Sequence, residues 1–174
     1  MKYLNIAVNL AILVACAATV YSIAAAHTTQ PSPTRRAALQ KGERLDSLRG
    51  HGLQNADRTL VMVIHSECKY CHASLPFYRK LTARLSSGGS FPQVQLMVVT
   101  KEDHRSMVHY LESESLSVPH VVTVSDEALR EWKIPGTPTL ILVDRTALVL
   151  GVWFGKLTGD GEAAVESALG LKPA

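Results

Sequence analysis

The feature that most constrains this chain is an apolar, β-branched run, Thr59 to His65 (TLVMVIH), followed within three residues by Cys68-Lys69-Tyr70-Cys71. A continuous apolar run of that length is expected to be a strand buried on both faces. From Tyr70 to Leu85 the pattern becomes helical, with Leu75, Tyr78, Leu81 and Leu85 on one face. The two cysteines therefore stand where a buried strand turns into a helix. A cysteine at a helix start has its thiolate stabilised by unpaired backbone N–H groups and by the positive end of the helix dipole. The second cysteine lies one turn further on, close enough to close a disulfide. Cys68 is expected to be the more exposed, attacking thiol and Cys71 the resolving one.

Strands and helices alternate through the rest of the chain. Ser86 to Ser90 closes the first helix, and Gln93 to Thr100 (QVQLMVVT) forms a second strand. Glu102 to Leu111 is predicted as a helix with acidic residues in its first turn. His120 to Val124 is a third strand, after which Ser125 caps a short helix through Trp132. Thr139 to Val143 and Leu148 to Phe154 are two strands joined by a turn at Asp144-Arg145-Thr146, and Thr158 to Leu169 is a last helix ending at Gly170. The order predicts an α/β fold with a central mixed β-sheet flanked by helices. Arg35 to Gln54 starts helix-like, is broken by Gly50 and Gly52, and carries no clear period. There is no internal repeat.

Tyr3 to Ala26 contains no charged residue, and its 24 positions exceed the ~20 that span a bilayer as a helix. Three readings compete: a retained signal anchor, which is favoured, a signal peptide cleaved at Ala24-Ala25-Ala26, and a lipoprotein signal at Cys16. The expected organisation is an anchor over 1–27, a polar linker over 28–40 and one folded domain over 41–174. Charge fits this division. Thr28 to Arg58 holds six basic residues against three acidic ones, whereas Thr59 to Ala174 holds eleven against twelve. That basic stretch suits a membrane flank and is too sparse for nucleic acid. Counted by itself it favours a cytoplasmic domain, but export-type N-termini share this build, so an extracytoplasmic domain is expected, facing the periplasm or its equivalent.

A Cys-x-x-Cys pair admits other chemistry. With His65 and His72 it could form a zinc site, although no second cysteine pair is present. Cys68-Lys69-Tyr70-Cys71-His72 also matches the C-x-x-C-H pattern of covalent haem attachment. The preceding buried strand and the strands that follow favour redox chemistry, with neither metal nor cofactor expected. Trp132 and Trp153 are read as packing residues, and His104 and His109 lie off any helical metal spacing.

Pro138 lies 67 residues after Cys71, in Ile134-Pro135-Gly136-Thr137-Pro138-Thr139, directly before a strand. Together with the upstream cysteines this resembles the cis-proline loop of the thioredoxin superfamily. The stretch RTLVMVIHSECKYCHASLPFYRKL and an extra helix and strand over Glu102 to Val124 are similar to membrane-anchored TlpA-type and MauD-like proteins. Pro76 and Gly155 match that family's helix-kinking proline and the glycine facing its active site. The resemblance runs from about Lys41 to Leu169. It implies a thioredoxin-like fold and a thiol–disulfide oxidoreductase, most readily a reductase. Disulfide-containing proteins would be its substrates and an upstream thiol its donor. It further implies a cis Thr137–Pro138 peptide against the disulfide, with the Thr137 backbone pairing with substrate. Lys69, Tyr70, His72 and Pro76 would have supporting roles. A redox-inactive binding module of the same fold is the rival, though such modules usually lose the cysteine pair. A peroxidase lacks its signature here, and a disulfide isomerase would need a dimerisation domain for which there is no room. This chain also departs from the pattern. The family's buried acid falls on Met62 and the TlpA-type acid on Ser74, leaving water, His72 or His65 to handle the proton.

Overall fold

A computed structural model of the chain describes residues 38–86 and 94–171. All of them belong to one compact unit, Ala37–Ala174. The anchor and most of the linker expected from the sequence, and the Gly-rich turn after Ser86, lie outside the described residues. Among the described residues no helix is long and apolar enough to cross a membrane.

The five strands are β1 (Arg58–Val63), β2 (Val94–Thr100), β3 (His120–Thr123), β4 (Thr139–Asp144) and β5 (Val149–Phe154). They form one mixed sheet in the order β3-β2-β1-β4-β5. β1 runs parallel to β2, and β2 to β3, while β4 is antiparallel to both β1 and β5. The four helices are α1 (Lys69–Ser86), α2 (His104–Ser113), α3 (Asp126–Glu131) and α4 (Asp160–Ala168).

The central strand is buried on both faces, as its unbroken apolar run predicts. Leu60, Met62 and Ile64 face a core filled by Leu75, Phe77, Tyr78 and Leu81 of α1, Met107 and Leu111 of α2, and Val165 of α4. Val61 and Val63 face a second core with Leu39, Leu45, Leu48, Leu53 and Trp132. Each such buried side chain contributes roughly 1.5–3 kcal/mol by leaving water. The ambiguous stretch before β1 thus becomes the second layer. It folds as two short 3₁₀ turns, Asp46–His51 and Leu53–Asn55, and Leu48 and Leu53 in them are fully buried. Ser47 accepts the indole N–H of Trp132 at 2.6 Å, tying this layer to the end of α3.

Several boundaries move from their sequence positions. Ser125 caps α3 as expected, accepting the Ala128 N–H. The next cap is a correction. Asp103, expected inside the helix, is its cap and accepts the Ser106 N–H, so α2 begins at His104 and has no acid in its first turn. The side chain competes best for free helix N–H groups from just outside the helix, which is where Asp103 stands. That leaves Glu102 in the connection after β2. The last helix is likewise shorter than Thr158 to Leu169, running from Asp160 to Ala168.

Candidate active site

Cys68 occupies the N-cap of α1. Its carbonyl accepts the His72 N–H at 3.0 Å, and its sulfur accepts the Cys71 N–H at 3.1 Å. This is the bond that a serine or aspartate oxygen makes at other helix starts, here given to sulfur. Cys68 and Cys71 are joined as a disulfide, with their Cα atoms 5.1 Å apart. Cys68 is half-buried, whereas Cys71 is only 1% exposed.

The Thr137–Pro138 peptide is cis. The Thr137 carbonyl oxygen lies 3.4 Å from the Cys68 sulfur, so this loop abuts the disulfide. Two bonds hold the loop. The Gly155 N–H donates to the Pro138 carbonyl at 2.8 Å, and the Thr139 hydroxyl donates to the Gly136 carbonyl at 2.7 Å. Among the described residues the Thr137 N–H has no hydrogen-bond partner.

Of the other residues singled out in the sequence, Lys69, Tyr70 and His72 are exposed around the disulfide, Tyr70 by 59%. His72 is anchored even so. Its Nε2 lies 2.6 Å from the Ser66 carbonyl, and its ring meets Tyr110 edge-on at 5.6 Å. Pro76 sits inside α1 on its exposed side. Met62, where the resemblance would place an acid, is completely buried. Ser74 is buried as well, and its hydroxyl donates to the Tyr70 carbonyl at 2.8 Å.

The residue that sequence reasoning missed is Glu102. Its Oε1 accepts the Ser66 N–H at 2.9 Å and the Ser66 hydroxyl at 2.8 Å, and lies 3.0 Å from His65 Nδ1. The same Nδ1 is 3.1 Å from the Glu67 N–H, so it either accepts that proton or donates to Glu102. Glu102 Oε2 and the Tyr110 hydroxyl are buried and have no hydrogen-bond partner among the described residues. Burial raises the Tyr110 hydroxyl above its ordinary range, and the charges of Glu114 and Glu102 add to the rise. Among the described residues no three His, Cys, Asp or Glu side chains converge on one point as a metal set.

A cavity of about 320 Å³ opens beside Thr137 on the second-core side of the sheet. Val63, Ile64, Leu129 and Ile134 form its apolar part, and His65 and Thr137 stand on its wall. Lys101, Asp126 and Arg130 also line it, so an extended segment laid along Thr137 has a recess of mixed apolar and charged walls next to it.

No protein-family model matches the chain, and no curated protein matches it. Solved structures do. A putative thiol:disulfide interchange protein DsbE from Chlorobium tepidum has a TM-score of 0.54 and 21% identity, over 76% of this chain and 99% of that one. A putative protein disulfide isomerase from Bacteroides thetaiotaomicron has a TM-score of 0.56 and 15% identity, over 76% and 89%. A thiol-disulfide isomerase from Corynebacterium glutamicum has a TM-score of 0.51 and 19% identity, over 76% and 92%. At such identities the likeness is one of fold, and the fold built around Cys68, Cys71 and the cis Pro138 is thioredoxin-like.

Proposed function

We propose that this protein is a thiol–disulfide oxidoreductase that reduces disulfides in extracytoplasmic proteins through Cys68 and Cys71, from a membrane tether formed by residues 1–27. One observation carries the chemistry: the sulfur of Cys68 sits at a helix N-cap, with the Cys71 N–H on it and the Thr137 backbone beside it. Covalent haem through the same motif is the weaker reading. The two cysteines are joined to each other, and His72 Nε2 is engaged with Ser66.

The geometry supports disulfide exchange at Cys68. In the reduced protein the Cys68 thiolate, favoured by the Cys71 N–H and the start of α1, attacks one sulfur of a substrate disulfide. The substrate's S–S bond breaks as the mixed disulfide forms, and the first substrate sulfur leaves as a thiolate that takes a proton. Cys71 then loses its proton and attacks the Cys68 sulfur. The second substrate thiol departs, and the pair is left oxidised. The substrate has gained two electrons and two protons. A thiol donor restores the pair by the same steps in reverse. During exchange the free Thr137 N–H and its carbonyl can pair with an extended substrate strand. The cavity beside Thr137 is placed to take a side chain of that strand.

The direction and the location are tested separately. Equilibration of the Cys68–Cys71 pair against redox buffers is expected to give a potential near thioredoxin's ~−270 mV. A value near the ~−120 mV of a strong oxidant would reverse the proposed direction. A reporter fused after residue 174 is expected to be active only outside the cytoplasm, and activity inside it would remove the proposed location.

A further inference from the structure

The turn from His65 to Cys68 is held by a residue outside both the Cys68–Cys71 and the Thr137–Pro138 segments. The Cys68 N–H donates to the His65 carbonyl at 3.1 Å, so the position of His65 sets the entry of Cys68 into α1. Between these two residues, Ser66 gives both its N–H and its hydroxyl to one oxygen of Glu102. Glu102 is itself fixed at the end of β2. Its N–H donates to the hydroxyl of the buried Thr100 at 3.2 Å, and its carbonyl accepts from the Thr123 hydroxyl at 3.1 Å. The sheet explains the meeting. β1 and β2 are parallel, with Val63 opposite Val99, so the residues that follow each strand leave the same edge side by side.

The carboxylate is used unevenly. One oxygen faces three nitrogen or oxygen partners, whereas the other is buried with none among the described residues. The hydrogen bonds are thus concentrated on the oxygen that faces the turn. Hydrogen bonds to a charged acceptor are also stronger than neutral ones, which suits a group that must hold a turn still.

We propose that Glu102 is the positioning residue of this redox turn, holding Ser66 and His65 so that Cys68 keeps the N-cap with the Cys71 N–H on its sulfur. The assignment rests on the thiol–disulfide reading and adds to it the side chain that prepares the nucleophile. Glu102 acts through Ser66 and His65; no contact between it and either sulfur is part of the proposal.

The test is the pH profile of Cys68 alkylation in the reduced full-length protein, followed by the mass of the Cys68 peptide, in wild type, E102Q, E102A and S66A. E102A frees the turn, so the thiolate loses its N–H and the midpoint is expected to rise by roughly one pH unit. E102Q keeps an acceptor oxygen for Ser66 and is expected to stay within about threefold of wild-type reactivity, against a roughly tenfold loss in E102A. A carboxylate acting only as a nearby negative charge gives the opposite sign, because its removal lowers the midpoint. The proposal is overturned if the E102A midpoint does not lie above those of both wild type and E102Q. Should E102A fail to fold, S66A decides: a smaller rise supports the proposal, and an unmoved midpoint overturns it. The midpoint belongs to the thiol alone. A wild-type protein that exchanged with no disulfide would sink the proposed function and leave this measurement standing.

Discussion

The N–H of Cys71 donates to the sulfur of Cys68 at 3.1 Å, so the backbone of one cysteine lies on the sulfur of the proposed nucleophile. Burial separates the two further, with Cys68 half-buried and Cys71 1% exposed. After reduction, alkylation is expected at Cys68 first, at least ~10-fold faster than at Cys71. C71S, which keeps that N–H, is expected to accumulate mixed disulfides with substrate proteins, and C68S to accumulate none. Non-reducing electrophoresis with peptide mapping reads both outcomes. Trapping that persists in C68S would assign the nucleophile to the wrong sulfur.

Two glycines at the end of the sheet make contrasting demands. Gly155 has φ +74 and gives its N–H to the carbonyl of the cis-proline, while a Cβ there would meet nothing within 4 Å. G155A is therefore expected to cost only the left-handed backbone penalty, about 1 kcal/mol, together with a shift of the Pro138 loop. At Gly151 the backbone is ordinary, but a Cβ would stand 2.6 Å from the Trp153 ring. G151A is expected to cost about 1–3 kcal/mol through overpacking, and to move the tryptophan fluorescence. Urea denaturation distinguishes the pair, and equal losses with unchanged fluorescence would contradict the assignment.

The parts of this architecture legible in the sequence are those written in a local period. The run from Thr59 to His65 gives β1, the spacing of Leu75, Tyr78 and Leu81 gives α1, and Ser125 marks its helix start unaided. The layer under the second core was not legible, because Leu39, Leu45, Leu48 and Leu53 follow no regular spacing and are united only by the sheet they cover. Glu102 was missed for a related reason. Placed in a helix by its acidic neighbourhood, it looked like a first-turn residue. Its contact with Ser66 depends on the parallel register of β1 and β2, which no local pattern encodes.

Tyr78 lies in the first core, and burial pushes its hydroxyl up to about 12. The phenol is kept neutral in the folded chain while the unfolded chain ionises at its ordinary value of 10.0. Stability is thus unaffected by this group below that value and falls as pH rises from there toward 12, by on the order of 1–3 kcal/mol. Y78F is expected to flatten this alkaline limb while leaving the neutral region within the small loss of one hydroxyl. Denaturation midpoints measured through the alkaline range test it. An equally steep decline in Y78F would place the titrating group elsewhere.

Glu166 makes the opposite case at acid pH. Its side chain is 6% exposed on α4, and one oxygen lies 2.9 Å from Lys80 Nζ and 3.1 Å from Arg84 Nη1, both on α1. The hydrogen bond from Lys80 is the main influence holding its carboxyl below the ordinary range, and it outweighs the upward push of burial, with Arg84 adding to the fall. A carboxyl depressed in the folded state contributes stability that is fully present above its unfolded value of about 4.3, and that is lost as pH drops through the lower folded value. The pairing joins α4 to α1, so its loss loosens the helix that carries both cysteines. With one half-exposed and one part-buried cation as partners, the contribution is on the order of 1 kcal/mol. E166Q is expected to be less stable than wild type by about that amount at neutral pH, and the two curves are expected to converge once the wild-type carboxyl is protonated. Added salt is expected to narrow the neutral gap as well, because the Lys80 side chain is half-exposed to solvent. A gap of constant size from neutral to acid pH would assign the effect of E166Q to packing rather than to charge.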